Sequence, residues 1–147
     1  MKPSMRFEKQ WIDEDMVELK VEICDGASVF CNRIYVGHKH LRDTGQGVYA
    51  FKDHIYGGIF NLRFGEFGPE YASGALDARL QFQPRGKLWL RIAAQTELAH
   101  FGDKEFASEA TLYLVSEIAL LDKFVGDFRA MSLAQCEQAE PEAIVLN

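Results

Sequence analysis

Between Leu76 and Ile92 the chain alternates apolar and polar residues, with a period of two, on both sides of a proline–glycine break. Leu76, Ala78, Leu80 and Phe82 fall on one face, and Asp77, Arg79, Gln81 and Gln83 on the other. After Pro84-Arg85-Gly86 the alternation resumes, with Leu88, Leu90 and Ile92 against Lys87, Trp89 and Arg91. Successive side chains of a strand point to opposite faces, so the segment reads as a β-hairpin with one dry and one wet side. An antiparallel sheet covered on one side follows. The pattern constrains architecture and carries no chemistry.

The rest of the chain fits around that hairpin. Val17, Leu19, Val21 and Ile23 alternate with Glu18, Lys20 and Glu22, which predicts a first strand over about 16–24. Asp25-Gly26 then predicts a tight turn whose central positions tolerate positive φ. A second strand, about 27–36, carries Val29, Phe30, Ile34, Tyr35 and Val36. From Lys39 to Tyr56 the spacing of Leu41, Val48, Phe51 and Ile55 fits one face of a helix. Gly45 and Gly47 each disfavour helix by about 1 kcal/mol relative to Ala, which moves its expected start past Thr44. Gly57-Gly58 ends it.

Phe60, Leu62 and Phe64 predict a third strand, followed by a loop over 65–74 and the hairpin over 75–97. In a sixth strand, about 105–115, Phe106, Ala110, Leu112 and Leu114 oppose Glu105, Glu109, Thr111 and Tyr113. Ser116 suits a helix N-cap, and Ile118, Leu121, Phe124, Val125, Phe128 and Met131 form an apolar stripe at helical spacing. The expected class is α+β. A single antiparallel sheet of about six strands, in the order β-β-α-β-β-β-β-α, is packed by the C-terminal amphipathic helix. Residues 1–147 form one domain, with 1–10 and 133–147 as flexible ends and no internal repeat.

Composition narrows the function classes. Hydrophobic residues at 48% and charged residues at 26% are those of an ordinary globular domain, not of a disordered or coiled-coil chain. The formal charge of −6 argues against nucleic acid, whose phosphates need a basic footprint, and suits a basic protein partner met by electrostatic steering. Neither a signal-peptide core nor an apolar run of membrane-spanning length is legible. Cys24, Cys31 and Cys136 lack metal spacing and read as reduced thiols of a cytoplasmic protein, the first two as small buried hydrophobes.

Candidate chemistry is sparse. His38-x-His40 would share a face on a strand, and with Asp43 it is the nearest approach to a zinc motif. It lies beside Gly37 at a strand–helix junction, where solvated polar residues are expected, so that ordinary reading outweighs a metal site. Gly45-Gln46-Gly47-Val48-Tyr49-Ala50 matches G-x-G-x-x-A in form but follows no buried strand, so a nucleotide site does not follow. Asp13-Glu14-Asp15, Glu18 and Glu22 read as a solvated acidic edge. No nucleophile elbow, P-loop or Cys/His catalytic spacing is present, and no cofactor is expected.

Two features favour contact with a protein. Glu66, Glu70 and Tyr71 lie in an aromatic-rich loop, the kind of segment that carries function disproportionately, although packing of Phe67 and Tyr71 onto the sheet edge explains the same residues. Trp89 falls on the polar face between Lys87 and Arg91, with Arg79 across the hairpin, which is the composition of an interface hot spot. The competing reading is that the first helix covers this face and buries the ring. An exposed edge strand would also suit a homodimer.

In layout the chain resembles, over residues 11 to 131, small bacterial proteins encoded beside polymorphic toxins and assigned as immunity proteins. The resemblance rests on the "WIDEDMVELKVEICDG" strand and turn, the "NLRFGEFGPEY" segment and the closing "EIALLDKFVGDF" helix. It implies a non-enzymatic binder of one cognate toxin, with an acidic surface matched to a basic target, and carries over no site residue. The alternative is a carrier of a small molecule or lipid, held in an apolar cavity between the sheet and the C-terminal helix. An enzyme ranks third.

Overall fold

In the computed structural model, residues 2–54, 57–68, 74–133 and 143–147 are described. Ten strands and two α-helices occur among them, and the class is α+β, as expected. The strands do not form one sheet. β1 (Ser4–Ile12), β2 (Met16–Cys24) and β3 (Val29–Gly37) join β10 (Ala143–Leu146) in a four-stranded sheet of order β10-β1-β2-β3. β4 (Ile59–Phe64), β5 (Ala75–Gln83), β6 (Lys87–Gln95) and β9 (Glu109–Glu117) form a second, of order β4-β5-β6-β9. β7 (Ala99–Phe101) and β8 (Lys104–Phe106) make a separate two-stranded hairpin. Every pairing is antiparallel.

The two four-stranded sheets share one plan. In each, an edge strand is followed by three further strands in spatial order, and the last strand leads straight into a helix. α1 (His38–Phe51) follows β3 and delivers β4 to the edge of the second sheet. α2 (Ile118–Leu133) follows β9 and precedes β10, which completes the edge of the first. The chain is thus a structural duplication closed by its own terminal strand. Equivalent positions carry different residues: Glu18, Lys20 and Glu22 of β2 correspond to Trp89, Arg91 and Ala93 of β6. That is why no repeat is legible in the sequence.

The ends of the chain differ from the sequence expectation. Ser4–Ile12 is a strand interior to the first sheet, with Met5 and Phe7 fully buried. Pairing with β10 and β2 satisfies its backbone, and its short apolar set, Met5 and Phe7, is interrupted by Lys9, which hides the alternation. Of the expected C-terminal flexible stretch, residues 143–146 form β10, while 134–142 lie outside the described residues, as does Cys136.

One core holds both sheets and both helices. Phe128 of α2 packs edge-on against Phe7 at 5.2 Å between ring centroids, and lies 5.6 Å from Phe124 and 6.5 Å from Phe64. Phe7 also meets Phe64 of the other sheet at 6.5 Å. Leu121, Phe124, Val125, Phe128 and Met131 are all buried, so the predicted closing helix covers the core as expected. The side chain of Asn32 ties β3 to the second sheet by donating to the backbone carbonyls of Ala75 (3.0 Å) and Gln95 (2.9 Å).

α1 starts at His38, well before Thr44, and its two interior glycines have a packing reason. A Cβ on Gly45 would collide with the side chain of Ser132 and lie 3.5 Å from the Arg129 Cα. Gly45 therefore lets α1 and α2 cross closely, and that contact repays the low helix propensity. Leu41, Val48 and Phe51 are buried as predicted; Ile55 lies outside the described residues. Ser116 caps no helix: it lies within β9, one residue before its end, buried, with its hydroxyl donating to the Asn147 carbonyl at 2.9 Å. The predicted sixth strand is split, Phe106 belonging to the exposed β8 and Leu112 and Leu114 to β9.

The turns are built from local polar groups. Asp25 accepts hydrogen bonds from the Ala27 (2.9 Å) and Ser28 (2.7 Å) amides, and its own amide donates to the Ser28 carbonyl at 3.2 Å. Only Gly26 there takes a positive φ, +98°, so the expected two-residue turn is a longer one stabilised by the aspartate. Asp13 closes β1–β2 in the same way, accepting from Asp15 (2.8 Å) and Met16 (2.7 Å). These bonds hold both carboxyls below their ordinary pKa, because the charged form is the better acceptor.

Candidate functional site

Both helices lie on the inner side of the sheets, so the outer face of the second sheet is left uncovered by them. Its residues fall into cross-strand rows set by the register. One row runs Ile59, Gln81, Trp89, Val115, and the next Asn61, Arg79, Arg91, Tyr113. Trp89 is half-buried and stacks on its diagonal neighbour Tyr113, centroids 5.8 Å apart and planes 22° apart. Tyr113 is 52% and Val115 65% exposed, so together with Trp89 they form an apolar patch on the outer face. Beside Trp89 lies a recess of about 350 Å³ lined by Gln81, Gln83, Lys87, Leu88 and Val115.

The charges on this face are unequally matched. Arg63 reaches Asp77 and Glu66, each at 3.7 Å, and Lys87 reaches Glu117 at 2.8 Å. That contact, with Lys87 donating, lowers the Glu117 pKa. Arg79 and Arg91 stand directly opposite each other on β5 and β6, both exposed. Among the described residues neither makes an ion pair. Like charges directly opposite on a sheet oppose pairing.

The first sheet differs at the same rows. There Glu8, Lys20 and Arg33 stand in register where the second sheet has Arg79, Arg91 and Tyr113, so an acid accompanies the two bases. The phenol of Tyr35 donates to Glu18 at 3.3 Å, and the charge of Glu18 is the main cause of its raised pKa. A recess of about 480 Å³ beside Lys20, Cys31, Arg33, Tyr35 and Glu97 carries both signs. Cys31 is exposed, contrary to the expectation of a buried thiol; partial desolvation and Glu22 raise its pKa, which works against thiolate reactivity. Cys24 is buried, as expected.

No protein-family model, curated protein or solved structure matches the chain.

The structure therefore brings Trp89, Arg79 and Arg91 onto one face and adds Tyr113 and Val115. Tyr113 was legible as an outward residue; Val115 was hidden because the strand was expected to end there. Glu66 sits at the margin of the face, on Arg63, while Glu70 and Tyr71 lie outside the described residues. The first helix packs inside the fold and does not bury Trp89.

His38 and His40 occupy the first turn of α1, not a strand. Residues two apart on a helix do not share a face, so the geometry expected for joint ligation is absent. His38 Nε2 lies 2.6 Å from the Asp13 carbonyl, and His40 packs on Phe64 with ring centroids 5.4 Å apart. No cluster of three His, Cys, Asp or Glu able to hold a metal occurs among the described residues. No helix there is long and apolar enough to cross a membrane.

A second departure was legible only in part, as Glu105 and Phe106 of the predicted sixth strand. Where β2 and β3 are joined by a short turn, β6 and β9 are joined through the β7–β8 hairpin. All six residues of its strands are exposed, Phe101 by 78%, and His100 faces Glu105 at 3.8 Å. The hairpin is the main insertion by which the second half departs from the first.

Proposed function

We propose that the chain is a non-enzymatic protein-binding module whose contact surface is the outer face of the second sheet. The observation that carries this reading is half-buried Trp89 stacked on exposed Tyr113, beside two arginines that make no ion pair among the described residues. Trp, Tyr and Arg dominate interface hot spots because they combine large apolar area with a polar or charged tip.

The specific form we favour is an immunity protein that neutralises one cognate toxin by occupying a surface the toxin needs. The layout over residues 11 to 131 supports it, and the net charge of −6 favours a target that is basic overall. A cytoplasmic setting belongs to this reading, supported by the free thiols of Cys24 and Cys31. The carrier alternative has less support: the Phe7, Phe64, Phe124 and Phe128 rings fill the space between the first sheet and α2 in which its cavity would lie. The edge strands leave homodimerisation open as a second use of the surface.

The test is co-expression with the product of the neighbouring reading frame. Wild-type chain should co-purify with it and relieve any growth arrest it causes, and a Trp89→Ala/Tyr113→Ala variant that is still folded should do neither. Equal binding and rescue by the double variant would remove this face from the function.

A further inference from the structure

Resting on that reading, we infer that the partner presents an acidic segment to the second sheet, with carboxylates held by Arg79 and Arg91 and an apolar side chain in the recess beside Trp89. Three observations converge. Each of the other bases on this face, Arg63 and Lys87, has a carboxylate within 3.7 Å, whereas the Arg79/Arg91 pair has none among the described residues. The corresponding row of the first sheet includes Glu8, so the duplicated plan accommodates an acid there and the second half replaces it with Arg79. And the recess lined by Trp89, Leu88 and Val115 opens in the adjoining row, which sets an apolar contact next to the charged one.

Two guanidinium groups facing each other across a strand pair repel, and a carboxylate between them turns that repulsion into two charge-assisted hydrogen bonds. Long-range steering and local contact use different charges. The net charge of −6 attracts a partner that is basic overall, while these two arginines choose which segment of it docks.

A nucleic-acid strand would also supply anions and flat rings. The observations favour the protein segment. Trp89 and Tyr113 already stack on each other, so each has a ring face committed, and a phosphate chain brings one charge per nucleotide against a chain of net charge −6.

The experiment uses the full isotope-labelled chain and follows the Trp89 indole N–H and the arginine Nε–H signals by NMR. The probes are a synthetic peptide of glutamate and valine, the same peptide with glutamine for glutamate, and an oligothymidylate. The glutamate peptide should move the Trp89 and arginine signals with an affinity at least tenfold above that of the glutamine peptide. Raising the salt, or an Arg79→Gln/Arg91→Gln substitution, should erase the difference. Equal shifts with both peptides would overturn the carboxylate inference while leaving the face as a protein-binding surface. Tighter binding of the oligothymidylate would overturn it in favour of phosphate. No shift at Trp89 with any probe, with the co-expression test positive through the same face, would also overturn it, because the contact would then not depend on acidic groups.

Discussion

Arg79 and Arg91 show how a residue can cost stability and still suit a binding surface. Each is well solvated alone, but their placement directly opposite on paired strands makes them repel. Arg79→Gln should therefore stabilise the free protein by roughly 0.2–1 kcal/mol, more at low salt, while weakening partner binding. Thermal melts at two ionic strengths check it; a destabilised variant would mean that Arg79 has an acidic neighbour in the free protein. Asp13 and Asp25 act in the opposite sense. Their native pKa values are lowered by backbone amides, so the stabilisation is complete above the unfolded pKa of about 4 and is lost as pH falls through the lower native value. Asp13→Ala and Asp25→Ala should each lower stability at neutral pH and make the acid unfolding curve shallower below about pH 4, read by circular dichroism.

At the scale of elements, the alternation of period two was the reliable signal. It located β2, β5 and β6 because each carries an unbroken apolar set on one face: Val17 to Ile23, Leu76 to Phe82, Leu88 to Ile92. β1 escaped because a lysine, Lys9, takes a buried position in the alternation, and β10 because four residues give too short a pattern. α1 was recognised but set too late at both ends: propensity penalises Gly45 while tertiary packing requires it, and the helix stops at Phe51, ahead of the expected stop at Gly57-Gly58. Gly45→Ala should lower stability by about 1–3 kcal/mol despite its better propensity, because the new methyl meets Ser132. Ser132→Gly should recover part of that loss in a double-mutant cycle, and simple additivity would remove the crossing as the cause. Trp89, its arginines and Tyr113 were each legible as outward residues; that β9 sets Tyr113 and Val115 beside Trp89 was not, because strand order cannot be read from alternation alone.

For the whole molecule, the duplication explains why one sequence without a visible repeat builds two matching sheets. Buried positions need only be apolar and of compatible volume, so Val17 and Leu88 or Val21 and Ile92 serve alike. Outer positions are free to diverge, and they do: the first sheet carries mixed charge, the second an aromatic–arginine face and the β7–β8 hairpin. The shared ring cluster joins the two halves in one core. Phe128→Ala should cost about 3–5 kcal/mol and lower a single transition for both sheets, seen as coincident Trp11 and Trp89 fluorescence and circular dichroism changes. Two separated transitions would show that the halves fold independently. The central claim is that partners dock on the second sheet, and the most direct measurement is hydroxyl-radical footprinting of the complex formed in co-expression. Trp89 and Tyr113 should lose oxidation while Trp11 and Tyr35 of the first sheet keep theirs. Protection of Trp11 and Tyr35 with Trp89 and Tyr113 still fully oxidised would contradict it.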